Sequence, residues 1–297
     1  MPIKNIKRMG GTSGNTYLID SSGGKYILKL YDKKYSNRIQ HQMNLLRKLN
    51  KEKQIAIDPI NKEVMRFGDK IGFIYRFVDG KHYSELHIPD KLYKFSRFIG
   101  GFSKLVGKIG PNRMGGDRWI MHEHRNFVRL AKNLDKSNDK YLSKLIKAGL
   151  PLAEKDLLGK KFRTRIIHGD LHHDNVIYDK KSGRLLMIDT DDLEEGILAR
   201  EILVVMSYAL TNSASKNKKI IKECLKGYES QVKMTKQEKQ AIPALMLLRK
   251  FGEVSWLIRQ HENGSITDEL FKKAMAGTIK QLKIVLSQYD NLKKTCL

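Results

Sequence analysis

An α+β chain is predicted, with a small β-rich N-terminal region and a larger, mainly helical C-terminal region. Three observations predict it. Apolar runs of strand length, residues 25–31 and 71–78, lie among Gly-containing turns in the first 79 residues. From about residue 81 onward apolar residues recur at three- and four-residue intervals, the helical period. Inside the helical region a pair of short apolar runs, after Asn175 and before Asp189, flanks a Gly-containing turn and predicts a β-hairpin. The expected division is therefore 1–79 and 80–297.

Residues 10–20 start the β-rich region, 21–24 make a turn, and 25–31 form the next strand. Along it Tyr26, Leu28 and Leu30 share one face, and Ile27, Lys29 and Tyr31 the other. A lysine in so apolar a strand is costly to bury unless it meets an anionic partner; at a sheet edge its head could instead stay in water. Ile39, Met43, Leu46 and Leu49 give a helical stripe over 36–49. Residues 71–78 predict a buried strand closed by Asp79-Gly80. Helices are predicted over 91–106, twice within 122–150, and over 197–210, 218–232, 237–259 and 266–289, with Met246, Leu247, Phe251 and Trp256 as core. Trp119, Trp256 and Tyr208 are watched as alternatives for lining a pocket. Cys296 falls in an expected frayed tail.

The stretch that carries chemistry is Ile167-His168-Gly169-Asp170-Leu171-His172-His173-Asp174-Asn175, followed by Leu186-Met187-Ile188-Asp189-Thr190-Asp191-Asp192. Phosphoryl transfer needs in-line positioning and neutralisation of charge spread over phosphate oxygens. Magnesium supplies that neutralisation and takes hard oxygen ligands, few of them from protein. Asn175 and Asp189 offer such oxygens, and a hairpin would bring them close. Asp170 is the candidate base for an alcohol. Asp191 either assists the metal or stabilises the loop. A lone His-Gly-Asp would mean little, because Asp, Asn and His are common in turns; the full pattern points to the site. His168 is expected to brace the loop. His172 and His173 are adjacent, point apart and have no partner cluster, which disfavours zinc.

The segments from His168 to Asn175 and from Ile188 to Asp191 resemble the aminoglycoside phosphotransferase and choline kinase-type superfamily, a small-molecule branch of the protein-kinase-like fold. The resemblance implies a two-lobed phosphotransferase using ATP and Mg2+ with a small-molecule hydroxyl acceptor, sugars and amino alcohols among them. It matches Lys29 to the strand lysine that holds phosphate. It places residues 10–15 over the phosphates, with Ser13 and Gly14 as contacts, although the full G-x-G-x-x-G is missing. It places a hinge at Arg76 to Gly80, where Arg76, Phe77 and Val78 offer backbone atoms to the adenine edge. The helix carboxylate that usually pairs with the strand lysine falls on Gln42, which carries no charge. That departure keeps open a non-catalytic nucleotide-binding or structural protein of the same fold. No Ala-Pro-Glu follows Asp189, which argues against a protein kinase.

Net charge is +25, with a pI near 9.9. A lysine-rich surface is the favoured account; attraction to an anionic ligand or surface is the functional one. Either argues against a polycationic acceptor. No nucleic-acid-binding signature is present, so nucleic acid is an unlikely partner. No apolar run approaches a membrane span, and residues 1–8 lack a signal-peptide core, so a cytoplasmic setting is expected. Two distant cysteines give no disulfide framework.

Overall fold

The computed structural model describes residues 2–9, 15–110, 113–115, 117–136, 140–190 and 193–297, with the backbone alone for 113–115, 117–119, 121–124 and 136. The chain forms two compact units. One is Met1–His87 with His172–Leu193; the other is Ile88–Leu171 with Glu194–Leu297. The first stretch holds β1 (Ile3–Arg8), β2 (Thr16–Ser21), β3 (Gly24–Asp32), α1 (Ser36–Glu52), β4 (Met65–Phe67), β5 (Lys70–Arg76) and β6 (Gly80–His82). The next holds α2 (Lys91–Ile109), β7 (Arg113–Gly115), α3 (Asp117–Lys136), α4 (Lys140–Leu157) and β8 (Phe162–Ile167). The hairpin strands β9 (Val176–Asp179) and β10 (Arg184–Met187) return to the first unit. The chain ends with β11 (Glu194–Ile197), α5 (Arg200–Ala209), α6 (Ala214–Glu229), α7 (Lys236–Glu262), α8 (Asp268–Ser287) and α9 (Tyr289–Cys296).

In the first unit an antiparallel sheet runs β1-β2-β3-β5-β4. One face of β3 carries Ile27 and Tyr31, which pack with Ile39 and Met43 of α1 and Phe73 and Tyr75 of β5. The expected strand faces and helical stripe are thus both present. β1 begins upstream of the expected first strand; its residues are all exposed, so its backbone pairing with β2 defines it rather than any apolar face. A second sheet runs β10-β9-β6. The loop after α1 ties this sheet down: Met187 N–H donates to the Ile55 carbonyl at 2.9 Å and Ile57 N–H to the Met187 carbonyl at 3.0 Å. Gly80, expected at the end of a linker, pairs with Asp179 instead. A Cβ there would sit 2.3 Å from Ile177 Cγ2 and 2.4 Å from the Tyr178 carbonyl oxygen, so only glycine lets the strands approach. The packing units also differ from the expected division after Asp79: the first runs on to His87 and includes the hairpin.

The second unit is mainly helical, with a small sheet in the order β11-β8-β7 that the helical period does not announce. Phe162 and Thr164 of β8 are buried, while Arg163 reaches Glu238 at 2.7 and 2.6 Å and Arg165 donates to the Ser103 carbonyl at 3.2 Å. Met246, Leu247 and Phe251 are core, as expected; Phe251 meets Phe127 edge-on at 5.4 Å. Trp256 is 38% exposed and so lies outside the core to which its period assigned it. The C-terminus is no frayed tail. α9 is docked by Asp156, which accepts from Tyr289 Oη at 2.8 Å and Lys293 Nζ at 2.5 Å, and Cys296 is buried. Cys224 and Cys296 are free thiols. Among the described residues no helix is long and apolar enough to cross a membrane.

Helices α2 and α6 approach through glycine. A Cβ on Gly227 would fall 2.3 Å from the Tyr93 carbonyl oxygen, whereas one on Gly101 in α2 would meet nothing within 4 Å. Gly227→Ala should therefore destabilise the protein by about 1–3 kcal/mol, through backbone that cannot give way. Gly101→Ala should leave stability unchanged or raise it by up to ~1 kcal/mol, the helix cost of glycine. Thermal melts of the two variants check this, and equal Tm values would contradict the close α2–α6 contact.

Candidate active site

In the first unit the site begins with Lys29. β3 lies between β2 and β5, so the water-facing edge position is excluded for this residue. Its side chain is only 12% exposed, and Nζ donates to Asp189 Oδ1 at 3.1 Å. Asp189, 43% exposed, follows the hairpin. The β9–β10 register pairs Val176 with Met187, and Ile188 N–H donates to the Asn175 carbonyl at 3.1 Å. Asn175 and Asp189 are thereby brought to the same open end of the hairpin, as the spacing predicts. Asn175 closes a 3-10 turn, His173–Asn175, with its N–H on the His172 carbonyl at 3.0 Å.

The other expected residues of this unit have definite places. Gln42 lies on the buried face of α1, 6% exposed, and its Nε2 donates to the Leu193 carbonyl at 3.4 Å; it does not face solvent. Arg76 ends β5 and is exposed. Phe77 N–H is taken by the Lys25 carbonyl at 3.0 Å, and Val78 is half-buried. Ser13, Gly14 and Asp191 lie outside the described residues. His172 Nδ1 accepts from Asp174 N–H at 3.2 Å while His173 stacks on Tyr83 at 5.5 Å, so the two histidines serve different local contacts. Among the described residues no group of three or more His, Cys, Asp or Glu is placed to hold a metal. An amide oxygen and a carboxylate at one hairpin end are a different donor set. It fits magnesium, which keeps most of its coordination for water and phosphate.

In the second unit the segment before Asp170 is gripped from below. Gly169 sits at φ +78°, a left-handed turn that glycine makes without strain. This turn lets His168 N–H and Gly169 N–H both donate to Glu201 Oε1, the latter at 3.4 Å. His168 itself is buried. Glu201 is buried in α5, and burial pushes its carboxyl from the ordinary 4.5 up to about 7, opposed by those two N–H groups. On the other side Asp170 Oδ1 accepts from Arg249 Nη2 of α7 at 2.5 Å, and the Gly169 carbonyl accepts from Arg249 Nη1 at 2.9 Å. Glu253 lies 3.3 Å from Arg249 Nε and also receives Lys250 Nζ at 2.7 Å. Burial works against the charge on Arg249, but Asp170 and Glu253 outweigh it and raise its proton affinity. For Lys250 burial prevails over Glu253 and lowers it.

Glu201, Arg249 and Glu253 are not singled out by motif. The signal available for Glu201 and Arg249 is the one that marks Lys29: a charged residue inside an otherwise apolar run, here Ile-Leu-Ala-Arg-Glu-Ile-Leu-Val-Val and Leu-Met-Leu-Leu-Arg-Lys-Phe.

A family model described as the phosphotransferase enzyme family matches residues 5–217. Several solved structures share the fold. Amicoumacin kinase hAmiN, in complex with AMP-PNP, Ca2+ and Ami, is 15% identical with a TM-score of 0.69, over 95% of this chain and 88% of that one. Choline kinase LicA from Streptococcus pneumoniae is 15% identical with a TM-score of 0.59, over 95% and 94%. The Plasmodium vivax ethanolamine kinase Pv091845 is 17% identical with a TM-score of 0.62, over 95% and 81%. At such identities the likeness establishes the fold alone. No curated protein sequence matches the chain.

The raised Glu201 carboxyl has a consequence for stability. Its folded value of about 7 lies above the ordinary 4.5, so its contribution is complete below about 4.5 and is lost as pH rises through about 7. Wild type should lose up to about 3 kcal/mol relative to Glu201→Gln across that window. Urea midpoints of both proteins at several pH values measure this, and parallel pH curves would rule it out.

Proposed function

The chain belongs to the phosphotransferase enzyme family, and we propose that it moves the γ-phosphate of Mg-ATP to a hydroxyl of a small molecule, a sugar, amino alcohol or related metabolite. The observation that carries this reading is the Lys29–Asp189 pair at 3.1 Å beside Asn175 at the open end of the hairpin. A buried cation and two hard oxygen donors suit a polyphosphate and its metal, and a relative of the same fold binds AMP-PNP. Residues 1–79 are assigned to nucleotide binding and 80–297 to catalysis and the acceptor.

Lys29 holds the α- and β-phosphates. Asn175 and Asp189 hold magnesium, joined by Asp191 in the extended form of the reading. Bound magnesium neutralises charge on the phosphate oxygens. Asp170 orients the acceptor hydroxyl and takes its proton. The acceptor oxygen forms a bond to the γ-phosphorus as the bond to the β–γ bridging oxygen breaks, and ADP carries the released negative charge. Gln42 leaves the charge on Lys29 to be matched by Asp189. Backbone atoms at Arg76, Phe77 and Val78, and Ser13 and Gly14 over the phosphates, complete the nucleotide contacts in this reading. The basic surface, +25 overall, favours a neutral or anionic acceptor over a polycation.

The test is Mg-ATP consumption against neutral sugars, sugar phosphates, choline, homoserine and aminoglycosides. Asp170→Asn should lower acceptor-dependent turnover by about 10²–10⁴-fold while Mg-ATP binding persists. Nucleotide binding without turnover on any acceptor would favour a non-catalytic binding protein. Absence of Mg-ATP binding would sink the reading.

A further inference from the structure

We propose that Arg249 is a positioning residue for Asp170, fixing its carboxylate and the turn that carries it with a single guanidinium. The proposal rests on the reading of Asp170 as the base.

The geometry is that of a clamp. Nη2 takes the Asp170 carboxylate at 2.5 Å and Nη1 takes the Gly169 carbonyl at 2.9 Å, so one planar fork spans two successive residues. A lysine ammonium is a point charge and cannot hold both acceptors in that fixed relation. The fork is itself held from behind, because Glu253 lies 3.3 Å from Nε. Glu253 also binds Lys250, whose side chain is 1% exposed, and accepts from Thr278 Oγ1 at 3.5 Å. The Tyr208 ring of α5 sits 6.0 Å from Arg249 and 4.6 Å from Lys250.

Two features separate this cluster from an ordinary structural ion pair. The first is exposure: Arg249 is 17% exposed and Asp170 33%. The cation is the deeper partner, and the carboxylate is the one presented outward. The second is the opposed grip on one turn. Glu201 holds the N–H groups of His168 and Gly169, while Arg249 holds the carbonyl of Gly169 and the side chain that follows. Asp170 is thereby fixed in rotation as well as in place. The charged and titratable groups around it are Arg249, Lys250 and Glu253 on α7 and Tyr208 and Glu201 on α5. Two cations meet Asp170 and Glu253, so the cluster above the turn is balanced.

The experiment is ADP formation from Mg-ATP with water, glucose or choline as acceptor, in wild type, Arg249→Gln, Arg249→Lys, Asp170→Asn and the Asp170→Asn/Arg249→Gln double variant. Arg249→Gln should lower kcat by about ten-fold or more and leave KM for ATP within about two-fold. Arg249→Lys should fall short of full kcat, because a point charge cannot hold both acceptors. In the Asp170→Asn background the Arg249→Gln change should cost nothing further, since it acts through a group already disabled. A folded Arg249→Gln with wild-type kcat would overturn the proposal, as would an undiminished loss in the double variant. If Arg249→Gln does not fold, Arg249→Lys carries the test: wild-type kcat there refutes the clamp, and reduced kcat with an unchanged KM for ATP supports it. Full turnover in Asp170→Asn alone would bring down the functional reading first, and this proposal with it.

Discussion

A lysine half-buried in the middle of a five-stranded sheet is best matched by an opposite charge, and the pairing of Lys29 with Asp189 meets that demand across 160 residues of sequence. The constraint reaches well beyond the pair. It fixes where the hairpin of β9 and β10 ends relative to β3, and the hairpin register then sets Asn175 beside Asp189. The same hairpin is tied to residues 55–57 by backbone hydrogen bonds and to β6 by the close approach at Gly80. Charge matching, strand register and one glycine contact thus act on the same few residues, which is why a segment distant in sequence belongs to the N-terminal packing unit.

The second unit solves a different problem with the same physics. Asp170 has to be presented outward on a turn, and turns are seldom rigid. Here the backbone of the turn is satisfied from opposite sides, by a buried carboxylate and a half-buried guanidinium. Both supports come from helices with apolar surroundings, the short α5 and the long α7, so their positions are set by core packing rather than by the loop. Burial raises the cost of leaving either group unpaired and thereby holds the arrangement in one state. Gly169 contributes the one backbone conformation that lets both grips exist together.

Much of the fold was legible because periodicity reports burial. The strand around Lys29, the stripe on α1, the hairpin and the long helices all show the spacing of the surface they cover. What escaped depends on partners rather than on period. β1 and β6 are defined by backbone pairing. Strand β8 mixes arginines with apolar residues because Arg163 and Arg165 find remote acceptors. Trp256 fits the helical period yet is partly exposed, and the C-terminal segment, expected as a frayed tail, is docked through Asp156.

The sequence by itself determined the chemistry on offer: the residue types from His168 to Asn175 and at Asp189, and the hairpin spacing that brings an amide and a carboxylate together. It also marked Lys29 as a cation in need of a partner. Only the tertiary structure decided which partner that was, placed Gln42 against the Leu193 carbonyl, and brought Glu201 and Arg249 to the turn before Asp170. The reason is range. Alternation and helical period are set by neighbours a few residues away, whereas the match of buried charges depends on side chains 32 to 160 residues apart, which only the folded chain brings into contact.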